Sequence, residues 1–106
     1  MQFRTLIPTT FNDGTPIAAD YVSNKAREFA ILFGGSTVEG TMQGTWIDTT
    51  DGQIYLDEVV AISVVCENDQ IEEARQAVIQ IGRDLKQKAM FFEVRYYDGV
   101  QIIPIE

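Results

Sequence analysis

The 106 residues contain no histidine. That removes the commonest general base, every Ser–His or Cys–His nucleophile pair and most transition-metal sites. The single cysteine forbids an internal disulfide. Cys66 ends the apolar run Val64-Val65-Cys66, which reads as a buried, inert thiol rather than a nucleophile. Basic residues are scarce as well: eight Lys/Arg face sixteen Asp/Glu, a formal charge of −8. Such a field repels nucleic acid and anionic lipid, so no direct nucleic-acid or membrane partner is expected. No apolar run approaches the roughly 20 residues of a membrane helix. The start Met1-Gln2-Phe3-Arg4 lacks the charged and apolar regions of a signal peptide, and a cytoplasmic protein is expected. Neither GxGxxG nor GxxxxGK[ST] occurs, so no nucleotide phosphate loop is expected.

What remains is ordinary core material. The chain is 45% hydrophobic, with six Phe, four Tyr and one Trp. Its length suits a single domain over residues 1–106. Phe3 to Pro8 reads as a short strand, and Asn12-Asp13-Gly14 as a turn. Val22, Ala26, Phe29, Ala30 and Phe33 fall on one helical face, in a helix beginning near 18–20. Gly34 and Gly35 end it. They follow a helix, whereas a phosphate loop precedes one.

Thr37 to Asp48 alternates, with Val38, Met42 and Trp46 on one side together with Gly40 and Gly44. Asp51-Gly52 turns the chain into a long strand from Gln53 to Cys66. That strand is apolar on both faces and expected at the centre of the sheet, bent near Asp57-Glu58. Asn68 or Asp69 should cap a second helix with a stripe of Ile71, Ala74, Val78, Ile81 and Leu85. Arg83, Lys86 and Lys88 at its end complement the helix dipole. Met90 to Tyr97 reads as a strand, Asp98-Gly99 as a turn and Val100 to Ile105 as a last edge strand. The fold class expected is α+β: a ferredoxin-like β-α-β-β-α-β sandwich, an antiparallel sheet with two helices on one face, plus an extra C-terminal strand.

Candidate sites are few. Asp48, Asp51, Asp57 and Glu58 flank one hairpin but fit no calcium-loop spacing, so neither metal nor cofactor is expected. Glu93 and Arg95 lie on one strand face, as a substrate clamp or a plain ion pair. Trp46 suits ligand stacking, although its place in the Val38/Met42 row argues for core packing. Tyr55 and Tyr97 complete the set of candidate ligand-binding residues, and no catalytic residue is assigned.

The sheet face away from the helices carries too much apolar surface for water, which predicts a homo-oligomer formed through it, with a small hydrophobic ligand between sheets as the alternative cover; a protein partner is a further candidate. Three functions fit. The first is a non-enzymatic, homo-oligomeric binding or regulatory module of unknown function. The second is a small enzyme or ligand sensor with its site on the open sheet face. The third is an acidic phage or plasmid inhibitor of a nucleic-acid enzyme.

The chain also resembles a set of short bacterial and mobile-element proteins of unassigned activity. The matching residues are Pro8, Gly14, Phe33-Gly34-Gly35-Ser36-Thr37, Gly44-Thr45-Trp46, Asp51-Gly52, Asp57 and Gln87-Lys88-Ala89, spanning nearly the whole chain. The resemblance implies a ferredoxin-like fold and carries over no catalytic residue.

Overall fold

The computed structural model describes residues 1–96 and 103–105. Among the described residues four strands and two helices follow in the order β1 (Gln2–Pro8), α1 (Tyr21–Phe33), β2 (Thr37–Ile47), β3 (Ile54–Val65), α2 (Ile71–Asp84) and β4 (Phe92–Arg95). The strands form one sheet in the order β2-β3-β1-β4, and every neighbouring pair is antiparallel. The long strand is therefore internal and the glycine-bearing strand lies at an edge.

Period-two alternation in β1 selects the core face. Phe3, Thr5 and Ile7 are fully buried, while Arg4 and Leu6 point the other way and are half-buried. Register puts Val64, Ile62 and Val60 of β3 beside them. Phe29 of α1 and Ala74, Val78 and Ile81 of α2 close over this face, so both helices cover one side of the sheet. Phe3 is the hub, with the rings of Phe29, Phe33 and Phe92 all within 5.6 Å, centroid to centroid. Burying a side chain of this kind contributes about 2–3 kcal/mol. Thr5 is the polar member of the core row; its hydroxyl donates to the Phe91 carbonyl at 2.8 Å.

The helix ends follow local chemistry. Gly34, in the left-handed region at φ 100°, stops α1, and its N–H donates to the Ala30 carbonyl. The second helix is entered differently from the expectation. A 3-10 turn over Asn68–Gln70 precedes it, and the Gln70 side chain accepts from the Glu67 N–H at 2.9 Å. Glu67 occupies the capping position because the turn begins one residue earlier than the Asn/Asp signal suggests.

The C-terminal part also departs from expectation. β4 spans four residues rather than Met90 to Tyr97. Ile103, Pro104 and Ile105 are not in a strand, and the rest of the expected final strand, with the Asp98-Gly99 turn, lies outside the described residues. No helix among the described residues is long and apolar enough to cross a membrane.

Candidate functional site

β1 ends opposite Val59, so from Glu58 outward β3 pairs with β2 alone. These five β3 residues and their partners form a two-stranded arm extending about 17 Å beyond the sheet. Its base is fastened by Thr9, whose N–H and hydroxyl both donate to the Glu58 carbonyl at 3.1 and 3.3 Å. At Asp57-Glu58, where the sequence predicts a bend, β3 runs on unbroken and it is β1 that has stopped.

A bulge fixes what the arm presents. Pairing slips between Val38 and Gly40, with Gly40 at φ 107° in the left-handed region. Val38 pairs with Ile62 on the helix side, whereas Met42 pairs with Val59 and Trp46 with Tyr55 on the open side. Trp46 therefore does not pack in the core with Val38, as unbroken alternation implied. It is 44% exposed.

On the open side of the arm the Trp46 and Tyr55 rings stack, 4.8 Å between centroids and 21° apart in plane. The indole N–H donates to Asp57 Oδ2 at 2.6 Å. The Tyr55 hydroxyl donates to Asp51 Oδ2 at 3.1 Å, and this bond raises the Tyr55 pKa above its usual value. At the turn, Asp48 accepts from the Thr50 hydroxyl at 2.6 Å and the Thr50 N–H at 2.8 Å, which holds its carboxyl below the usual range. The arm thus carries an aromatic pair edged by three carboxylates. This surface suits a flat ring that stacks or a cation that sits over aromatic faces. The arm's opposite face carries exposed apolar residues toward its tip: Ile47, Ile54 and Leu56 are 59%, 65% and 65% exposed.

Of the residues singled out from sequence, Trp46 and Tyr55 come together. Glu93 and Arg95 lie on β4, at the other edge of the sheet, paired at 3.5 Å. Register places them beside Arg4 and Gln2 on the open face, two strands from the arm. Within one chain they do not share a pocket with Trp46. Tyr97 lies outside the described residues. Sequence reasoning took Asp57 only as a hairpin acid; the diagonal offset of Asp57 from Trp46 across the Gly44 pair is the signal that identifies it as the indole's acceptor. It missed Glu39, which the bulge turns toward Arg4 at 3.2 Å. Among the described residues no cluster of His, Cys, Asp or Glu has the geometry to hold a metal ion. Cys66 is buried, and burial pushes its thiol pKa up, in keeping with an inert core sulfur.

Neither a protein-family profile nor a curated relative matches the sequence. Solved structures match its fold. A phage SAM lyase in complex with S-methyl-5'-thioadenosine superimposes with a TM-score of 0.68 and 12% identity, over 86% of this chain and 76% of that one. A phage SAM lyase in its apo state does so with a TM-score of 0.60 and 13% identity, over 91% of this chain and 90% of the other. The chain shares the fold of these proteins across most of its length.

Proposed function

We propose that this chain is a phage-related, homo-oligomeric module that binds an S-adenosyl ligand, S-adenosylmethionine or its thioether product, with the Trp46–Tyr55 pair as part of the binding surface. The observation that carries the reading is the near full-length fold likeness to a lyase holding S-methyl-5'-thioadenosine. The chemistry of the arm supports it. An adenine ring stacks on aromatic side chains, and a sulfonium is a cation that aromatic faces and the Asp51 and Asp57 carboxylates attract. The net charge of −8 favours a positively charged ligand such as the sulfonium.

Assembly belongs to the proposal. A two-stranded ribbon is marginal in water, and this one exposes apolar residues on both faces. A second copy is the simplest cover, and it would also supply the remaining walls of a site that one open arm leaves incomplete. The strand order and the placement of both helices on one face support the finer fold assignment, a ferredoxin-like split βαβ sandwich.

The second reading turns binding into catalysis: a lyase acting on S-adenosylmethionine. Both neighbours are SAM lyases, which favours it. As the substrate's own carboxylate oxygen bonds to the side-chain carbon next to sulfur, that carbon–sulfur bond breaks with both its electrons going to sulfur, so the leaving group is a neutral thioether and the carbon ends in a lactone. Such a step does not depend on histidine, which this chain lacks.

Calorimetric titration with S-methyl-5'-thioadenosine tests binding, and chromatography of the mixture after incubation with S-adenosylmethionine tests cleavage. Saturable binding that Trp46→Ala weakens is expected. Absence of binding to the wild-type assembly by either compound would overturn the reading.

A further inference from the structure

A concave surface lies on the helix side of the sheet, whereas the Trp46–Tyr55 pair stands on the open side. It is a groove of about 350 Å³ between the C-terminal half of α2 and β4. Val78, Ile79, Met90 and Phe92 give it an apolar floor, while Arg75, Arg83 and Lys88 stand around it. Three of the chain's eight Lys/Arg thus meet at one groove in a protein of net charge −8. Placement at a helix C-terminus accounts for Arg83 alone, since cations complement the last turn. It does not account for the apolar floor, nor for Arg75 two turns earlier with its guanidinium over the Phe92 ring at 5.3 Å.

The cations differ in what they already hold. Arg75 pairs with Glu72 at 3.1 Å, and Lys88 reaches Asp48 at 3.7 Å. Arg83 has no carboxylate partner among the described residues. The last carbonyls of α2 are also occupied: Leu85 N–H donates to Ile81, Lys86 N–H to Arg83 and Gln87 N–H to Gly82. The negative helix end is therefore capped, and Arg83 is left to face an incoming anion. Gly82 shapes the floor, because a Cβ there would come within 2.8 Å of Met90 Cγ.

We propose that this groove binds a small anion with an apolar body, an aryl or alkyl carboxylate or phosphate. Its ring or chain lies on Met90, Ile79 and Phe92, and its charged group is held by Arg83 with Lys88. A planar guanidinium matches either oxyanion by paired N–H donation. The volume is at the small end of ligand sites. The Lys88–Asp48 ion pair joins the groove to the rim of the Trp46 surface, but Arg83 and Ile79 belong to the groove alone, so their variants test this proposal apart from the S-adenosyl reading.

The test is an amide NMR titration of the full chain with phenyl phosphate and, separately, phenylacetate. Inorganic phosphate and benzyl alcohol serve as controls. Saturable shifts confined to residues 75–92 are expected with at least one of the two amphiphilic anions, and neither control should reproduce them. Arg83→Gln should weaken that affinity about tenfold, as expected for losing a charge-assisted contact. Ile79→Asp, which puts a charge of the anion's own sign on the groove floor, should abolish it. Both variants should keep the wild-type spectrum elsewhere and any S-methyl-5'-thioadenosine affinity. Shifts that stay linear with concentration, scatter over the surface or survive both substitutions would overturn the proposal.

Discussion

The indole N–H of Trp46 donates to Asp57 at 2.6 Å from one strand of the arm to the other, diagonally across the Gly44–Asp57 pair. The same indole lies against Tyr55, directly opposite it. Two contacts thus fix the orientation of the only tryptophan in the chain on an otherwise exposed ribbon. Asp57→Ala should free the ring: a red-shifted, less anisotropic Trp emission is expected, with a stability loss of no more than about 1 kcal/mol because the bond is exposed. Asp57→Asn, which keeps an acceptor oxygen, should stay close to wild type. Unchanged emission in Asp57→Ala would show that stacking on Tyr55 alone orients the ring.

Tyr21 gives a prediction in pH. Its hydroxyl is buried without a hydrogen-bond partner, and burial, aided by the negative charges of Asp84 and Glu28, pushes its pKa up from 10.0 to about 12. A phenol whose folded pKa is raised binds its proton more tightly when folded. Its stabilising effect is complete below pH 10 and is lost as pH rises through about 12. Phenolate absorbance should therefore show one tyrosine titrating last, with unfolding easier across that window. Tyr21→Phe should remove the step and leave neutral-pH stability equal or higher, since an unpartnered hydroxyl is deleted.

Lys86 is the non-glycine residue at positive φ among those described, at 55°. It follows α2, where glycine is the usual solution, and Asn12 holds the strained peptide by donating to its carbonyl at 3.2 Å. Lys86→Gly should stabilise the fold by up to about 1 kcal/mol. A denaturation midpoint that falls instead would mean that the Lys86 charge beside Asp13 outweighs the strain.

Leu56 stands 65% exposed on the apolar side of the arm, beside Ile54 and Ile47. If a second copy covers this surface, Leu56→Asp should lower the light-scattering mass while leaving the circular dichroism of the sheet and helices intact. An unchanged mass would remove the arm from the interface.

Much of the architecture is legible in the chain itself. Alternation in Phe3-Arg4-Thr5-Leu6-Ile7 selects the core face of β1, and the Ile71-to-Leu85 stripe selects that of α2. The glycine pair after Phe33 and the Asp51-Gly52 turn mark real boundaries. The candidate site was less legible for one physical reason. Period two carries a side chain to the wrong face once a bulge intervenes, and Gly40 inserts one between Val38 and Met42. Trp46 consequently reads as core in the sequence and stands on the open side in the fold. The sequence also gives no sign that β1 stops at Pro8 opposite Val59, which is what turns half of β2 and β3 into an arm. Glu93 and Arg95 were correctly read as sharing a face, but strand order sets them at the edge opposite the aromatic pair.

In the proposed function several copies together bind an S-adenosyl ligand at the Trp46–Tyr55 surface. The most direct measurement is titration of S-methyl-5'-thioadenosine into the wild type and Trp46→Ala, with the mass of each recorded by light scattering. The expected result is a mass that is a multiple of the 11.9 kDa chain and saturable binding that Trp46→Ala weakens by about tenfold or more. A wild-type mass of one chain with no saturable binding would contradict it.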